Sequence, residues 1–290
     1  MIEQEASLVI GGTGVVGSYI VEHLRRNGHC PFALSRSPHS SKSIRWICGD
    51  LERPDTLKLP QFATLYCTAD PVLLANNLPR LIDPSLKRVV VFSSTSVVTK
   101  QDSELADERD LIGKLADAEQ RIRATCESRG VEWTILRPTL IYAEGRDTNI
   151  TPLSRLIRRF GFMLLVGGAQ GLRQPVHAED LAIGAISAAS STLAANRIYS
   201  LAGGETLTYN EMIGRIFDNL RLPRRTISVP AFLWRAVFSF AKPLFPGANV
   251  AMGLRMIKDM TFDSAPAVQD FGWNPRCFNP NFDQVCEFNP

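Results

Sequence analysis

The chain is short of the residues that build metal centres, disulfide scaffolds and membrane spans. It has four histidines in 290 residues, and none stands at ligand spacing with another, so no metal site is expected. Six cysteines, Cys30, Cys48, Cys67, Cys126, Cys277 and Cys286, are scattered without a Cys-x-x-Cys pair. They read as buried free thiols in a reducing compartment. No apolar run reaches the length of a membrane-spanning helix. The N-terminal Met-Ile-Glu-Gln-Glu-Ala is acidic and lacks the apolar core of a secretion signal, so a cytoplasmic protein is expected. A formal charge of +3 is too small for a nucleic-acid partner, and no basic run is interleaved with aromatics.

What is present is ordinary for a soluble globular protein: 45% hydrophobic and 21% charged residues in a length that makes one large domain or two smaller ones. The organising stretch is Ser7 to Gly17, Ser-Leu-Val-Ile-Gly-Gly-Thr-Gly-Val-Val-Gly. A short apolar strand runs into Gly11, Gly12, Gly14 and Gly17, and an amphipathic helix follows, with Val16, Ile20 and Leu24 inward, Glu22, Arg25 and Arg26 outward, and Gly28 as its stop. Strand, glycine turn and helix in that order form a dinucleotide-binding fingerprint. One glycine turns the chain, a second lets backbone approach a pyrophosphate, and a third lets helix and strand pack closely. The phosphates then meet the unpaired N–H groups and positive dipole end of the helix.

A second apolar run, Pro31 to Leu34, ends in Ser35-Arg36-Ser37, about 20 residues past the turn, where an NAD-binding fold usually offers a carboxylate to the ribose. A guanidinium there suits a 2′-phosphate, which favours NADP over the alternative NAD; the other reading is a solvated loop arginine. Further strands are expected at Ser43 to Cys48, Ala63 to Cys67, Lys87 to Phe92 and Glu132 to Leu136. Val89-Val90-Val91 is the continuous apolar run of a strand buried on both faces. Strands alternating with helices predict an α/β fold with a doubly wound parallel sheet. Asp50, after the third strand, either reaches the adenine amino group or caps a helix. Ala69 offers small bulk beside the cofactor.

The glycine turn, Gly49-Asp50-Leu51, Phe92-Ser93-Ser94-Thr95-Ser96-Val97, Leu136-Arg137-Pro138 and Pro175-Val176-His177-Ala178-Glu179-Asp180-Leu181-Ala182 together resemble the extended and atypical short-chain dehydrogenase/reductases, the group of NAD-dependent epimerases and dehydratases. The likeness covers nearly the whole chain and implies a Rossmann domain with a smaller C-terminal substrate domain. It assigns cofactor contacts to Gly11, Gly12, Thr13, Gly14, Val15, Val16 and Gly17, to Ser35, Arg36, Asp50, Leu51 and Ala69, and to Ser93 and Pro138. Catalysis in the family uses a serine or threonine after the fifth strand, matched by Ser94 with Thr95 as runner-up, and a tyrosine four residues before a lysine. Here Leu111, Leu115, Ala118 and Ile122 fall on one apolar helical face, and in the register set by Ala118-Glu119 the tyrosine and lysine seats are Leu111 and Leu115. Lys114 lies one residue from its seat. Tyr142 is a substitute proton donor or a packing residue of the strand-to-loop junction. Val98-Thr99 replaces the usual Tyr-Gly.

In the second half, Arg146, Asp147 and Asn149 and the helical arginines Arg155, Arg158 and Arg159 either bind a phosphorylated or sugar-like ligand or lie on an exposed face. Arg173 and Gln174 are expected at the same pocket. His177 and Asp180 read as a helix start rather than a metal site, and Thr208 to Glu211 as another by the same capping logic. Residues 227 to 245, with Phe232, Trp234, Phe238, Phe240 and Phe245, read as a lid, core or dimer face, or as an amphipathic anchor on a membrane surface. The expected organisation is a cofactor domain of residues 1–147 and 174–202, and a substrate region of residues 148–173 and 203–290. The expected protein is an NADP-dependent oxidoreductase or epimerase-like enzyme on a nucleotide-sugar or related carbonyl or alcohol substrate, with a homodimer as one arrangement the sequence leaves open. The alternative is a non-catalytic NADP(H)-binding sensor or assembly factor.

Overall fold

The structure is a computed structural model and describes residues 6–41, 43–99, 105–234 and 253–282. Seven strands form the central sheet: β1 (Ser7–Ile10), β2 (Phe32–Ser35), β3 (Arg45–Cys48), β4 (Thr64–Cys67), β5 (Arg88–Phe92), β6 (Glu132–Pro138) and β11 (Arg197–Leu201). Their spatial order is β11-β6-β5-β4-β1-β2-β3 and every pairing is parallel. The order reverses between β1 and β4, which opens a crevice at their carboxyl ends, the general ligand position in such sheets. All strands expected from the apolar runs are present.

Helices cover both faces because the strands are apolar on both. Along β5 the pleat sends Val90 to one face and Val89 and Val91 to the other. On the first face α1 (Val15–Arg26) packs through Val16, Ile20 and Leu24 beside α6 (Ala178–Ser190) and α8 (Ala265–Phe271). On the second, α2 (Pro71–Leu81) and α4 (Ala106–Ser128) bury Leu74, Leu78, Ala118 and Ile122. The short α3 (Ser96–Thr99) leads from β5 toward α4. Outward on α1, Glu22 pairs with Arg25 at 2.7 Å and Arg26 at 2.8 Å.

A third hydrophobic cluster lies beyond the carboxyl edge. It joins α5 (Ile150–Phe160), β8 (Met163–Val166), α7 (Tyr209–Asn219) and β13 (Thr226–Val229) through Ile157, Leu165, Ile213 and Phe217. β13 pairs with β8 in parallel, β12 (Leu207–Thr208) with β9 (Leu172–Arg173) antiparallel, and β10 (Val176–His177) with β7 (Ile141–Tyr142) in parallel. α7 opens on the expected capping box between Thr208 and Glu211.

One segment departs from the expected division. Residues 265–273 return to the first face of the central sheet, where Ala267 and Trp273 join the α1/α6 cluster and the Trp273 indole N–H donates to the Ala202 carbonyl at 3.0 Å. The large apolar indole has more to bury against α6 than against the polar rim of the smaller cluster. Of the 227–245 stretch, Ile227 to Trp234 is described, while Phe238, Phe240, Lys242, Pro243 and Phe245 lie outside the described residues, as does Cys286.

The fit of Trp273 depends on Gly184, where a Cβ would stand 2.5 Å from the indole. Gly184→Ala is expected to destabilise the fold by about 1–3 kcal/mol through overpacking, despite the better helix propensity of alanine. Urea unfolding checks this, and an unchanged midpoint contradicts it.

Candidate functional site

The site begins with a close approach. Gly11 has φ +82° and ends β1; a Cβ there would sit 2.6 Å from the Thr68 hydroxyl. On α1, a Cβ at Gly17 would collide with the Gly11 carbonyl oxygen and lie 2.7 Å from the same hydroxyl. The missing side chains let the first turn of α1 close down on the end of the sheet. Thr68, after β4, locks the junction: its hydroxyl lies 3.2 Å from the Ile10 carbonyl oxygen and 3.1 Å from that of Gly11. The sequence placed Thr68 at the sheet edge but gave no sign of this role.

The helix N-terminus so formed is open. Thr13 and Gly14 are exposed, and Gly14, the N-cap, offers no side chain to the first-turn N–H groups. No acid occupies the first turn. That combination accepts an anion, and the Cβ-free cradle fits a pyrophosphate. Arg146 comes from the loop after β7 and donates to the Ser18 hydroxyl at 2.8 Å, its guanidinium over the Tyr19 ring. The arginine expected over a substrate pocket thus stands against α1, one residue past the last glycine of the turn.

Around the cradle, the expected positions divide. Ser35 is buried at the end of β2, where its hydroxyl accepts the Ser37 N–H, and Arg36 beside it is exposed. Asp50 accepts the Glu52 N–H at 3.0 Å and shapes the turn after β3; it caps no helix, since the next helical turn, Pro54–Thr56, has Arg53 at its N-cap. The Leu51 side chain is in the core with Leu34, so only its backbone faces the edge. Ala69 is half-buried. Val16 is likewise inward, on the α1 core face.

At the far end of the crevice, Ser93 donates its N–H to the Leu136 carbonyl at 2.8 Å, and its buried hydroxyl has no partner. The Ser94 hydroxyl accepts the Ser96 N–H at 3.1 Å and keeps its own proton to donate. Thr95 is different: its buried hydroxyl donates to the Pro138 carbonyl at 3.0 Å. Its proton is committed to joining the β5 and β6 ends, which disfavours the runner-up.

The position of α4 is set by Glu119 and Arg137. Glu119 is 4% exposed, and both its oxygens accept from the guanidinium at the end of β6, Nε at 3.0 Å and Nη2 closer. Leu115 and Leu111 lie one and two turns nearer the helix N-terminus, about 6 and 12 Å along the axis. They therefore project beyond the sheet edge. Leu115 is half-buried and Leu111 is 58% exposed, which corrects the expectation of one continuous apolar face: the buried stripe runs from Ile112 through Ala118, Ile122 and Cys126. Sheet and helix cover the stripe only where the strands reach. Lys114 is solvated and pairs with Asp110 at 2.7 Å.

No family model matches the chain. Its sequence is similar to UDP-glucose 4-epimerase of Vibrio cholerae, 23% identical over 302 residues, covering 92% of this chain and 90% of the relative. Over 101 residues it is 32% identical to the NADH dehydrogenase [ubiquinone] 1 alpha subcomplex subunit 9 of Arabidopsis thaliana, covering 34% of this chain and 25% of that one. Among solved structures it is similar to MoeE5 in complex with UDP-glucose and NAD, with a TM-score of 0.70, 22% identity and 94% coverage of both chains. In sequence and in fold the chain is similar to the extended short-chain dehydrogenase/reductases.

The Cβ-free, uncapped helix N-terminus stands at the expected place, but several polar residues assigned to the site serve the fold. Tyr142 is 1% exposed, edge-on to His177 and Phe278. Burial pushes its phenol pKa up, and Glu144 adds to the shift, so it is a packing residue rather than a substitute proton donor. Asp147 is buried and accepts the N–H groups of Asn149, Ile150 and Thr151, capping α5. Asn149 donates to the Ile141 carbonyl. Arg173 is buried and donates to the carbonyls of Leu172, Lys258 and Arg255, while Gln174 bonds Thr206 and the Phe262 N–H. These groups look alike in sequence whether they bind a ligand or a backbone carbonyl.

His177 caps α6 by accepting the Glu179 N–H on Nδ1 at 3.2 Å, which leaves the proton on Nε2 to donate to Glu144 at 3.3 Å. Among the described residues no group of His, Cys, Asp and Glu could hold a metal ion. Burial alone would raise the Glu144 carboxyl; the bonds from His177 and from the Asn281 N–H overcome it and hold the carboxyl below its usual range. A carboxyl depressed in the folded state adds stability above its unfolded value, lost as pH falls through the folded one. Stability should therefore decline as pH drops below the 4.5 of a free glutamate, and Glu144→Gln should flatten that decline. Thermal unfolding across pH reads both, and an identical slope in the variant contradicts the assignment.

Proposed function

We propose that this chain binds NADP, with the first turn of α1 holding the pyrophosphate, and works as an oxidoreductase or epimerase-like enzyme on a nucleotide-sugar or related carbonyl or alcohol. The carrying observation is the cradle: a helix N-terminus closed on the sheet only because Gly11 and Gly17 lack side chains, with no competing acid. Arg146 beside Ser18 adds positive charge there. Arg36, exposed after the buried Ser35, suits the 2′-phosphate. One relative is named a UDP-glucose 4-epimerase, and two of the structural neighbours are complexes with NAD; the preference for NADP rests on Arg36 alone.

A bound nicotinamide supplies the hydride acceptor or donor. The chain's part is to hold the phosphates, present the Ser94 proton to a substrate oxygen, and line the remaining cleft at Leu111 and Leu115 with hydrocarbon. In the family register those leucines occupy the tyrosine and lysine seats. An aliphatic group there neither gives nor takes a proton, so the substrate must exchange its proton with water or with Ser94. Loss of a positioned acid/base costs typically 10²–10⁴ in rate, which predicts a slow enzyme.

The third hydrophobic cluster, which takes in Ile157, Phe217 and Phe278, supports reading residues 148–173 and 203–290, apart from the returning 265–273, as the substrate region. Five described cysteines are free thiols, which suits a reducing, cytoplasmic setting. A homodimer has little to use on the outward face of α4, where Asp110–Lys114, Asp117–Arg121 and Arg123–Glu127 are solvated ion pairs.

A second reading, a non-catalytic NADP(H)-binding sensor or assembly factor, is favoured by the same two leucines and by the local similarity to a respiratory-complex subunit. Single-turnover absorbance at the reduced-nicotinamide band, over sugar nucleotides and small carbonyls, separates the two. The enzyme reading expects slow turnover, raised about 10²–10⁴-fold in the Leu111→Tyr/Leu115→Lys variant. Silence of both proteins across the panel favours the sensor.

Cofactor choice is tested on its own by calorimetry. Arg36→Ala is expected to weaken NADP by roughly 1.5–3 kcal/mol, the range for a hydrogen bond to a charged group, and to leave NAD little changed. Equal losses for both dinucleotides would show that Arg36 does not read the 2′-phosphate.

A further inference from the structure

One end of the smaller cluster carries an arrangement that the cofactor site does not use. Residues 148–169 contain three arginines and no Asp or Glu, and residues 219–234 contain three more and again no acid. The fold brings the two segments together: β13 runs parallel to β8 with Thr226 opposite Met163, and the Met163 N–H donates to the Arg225 carbonyl at 2.9 Å. The C-terminal turn of α5, with Arg158 and Arg159, therefore adjoins the Arg224-Arg225 loop. Arg224 is held by Asp218; Arg158, Arg159 and Arg225 are exposed.

Exposed apolar side chains accompany these arginines in the same two segments. Ile227 on β13 is 52% exposed, Phe232 is 82% exposed, and Phe162 and Leu233 are exposed beside them. Arg225 precedes the four-residue β13 and Phe232 lies in the helical turn just after it, so the cationic and apolar groups flank one short strand. A polyanion such as a nucleic acid would use the arginines and gain nothing from Phe232. An acidic protein would leave the isolated aromatic with no defined pocket. A bilayer interface uses both, because cations meet lipid phosphates while aromatic and aliphatic side chains enter the headgroup boundary.

We propose that this arginine and Phe232 face rests on the surface of an anionic phospholipid membrane, as a peripheral contact. Among the described residues no helix is long and apolar enough to cross a membrane, and the contact requires none. It is independent of the reading of the cofactor site, which lies at the N-terminus of α1.

The test is sedimentation of the full chain with phosphatidylcholine vesicles made with and without phosphatidylglycerol, at low and high salt. The expected result is binding only to the vesicles with phosphatidylglycerol, weakened by salt. Arg159→Gln/Arg225→Gln should reduce it about tenfold or more, since each basic residue near an anionic surface contributes several-fold. Phe232→Ser should reduce it several-fold with no change in charge. All three positions are exposed, and unchanged thermal unfolding of each variant shows that the fold survives. Absence of binding to anionic vesicles at low salt overturns the proposal, as does equal binding to neutral ones. So does retention of wild-type affinity in both variants. Binding to heparin or RNA without vesicle binding assigns the patch to a polyanion and also overturns it.

Discussion

The structure depends on how near α1 comes to the ends of β1 and β4. Backbone meets backbone there, with the Gly11 carbonyl where a side chain on Gly17 would be, and the Thr68 hydroxyl ties the two strand ends at the same point. This contact turns a parallel sheet with helices into a binding protein. It directs the N–H groups of the first turn toward the crevice where strand order reverses. A single methyl group at either glycine would push the helix outward and separate the dipole from its anion.

A second constraint acts at the other end of the crevice. The buried Glu119–Arg137 pair fixes α4 lengthwise against β6. Burying two charges is worthwhile only when both are satisfied, and here the carboxylate oxygens meet the guanidinium fork. With the helix so held, positions 115 and 111 lie one and two turns beyond the pair toward the helix N-terminus. This chain has leucine in both.

Much of this was legible in the sequence. The strand-glycine-helix run, the doubly apolar strands and the capping signals at His177 and Thr208 are local patterns, and each appears where the pattern put it. The polar residues were where two readings stood open. Arg173, Asp147 and Asn149 satisfy backbone groups, Thr95 bridges two strand ends, and Arg146 reaches α1. A hydrogen-bonding side chain has the same sequence signature whatever it bonds, and its partner can lie far along the chain, as Lys258 does from Arg173.

The sequence by itself determined the order of elements and the glycine cradle, because these follow from residue type and short-range spacing. Only the tertiary structure decided which face of α4 is covered, that Tyr142 is sealed in the core, that residues 265–273 return to α6, and that two acid-free arginine segments lie side by side. Those outcomes depend on which distant surfaces meet and how far the strands reach beneath a helix, and local spacing carries no record of either.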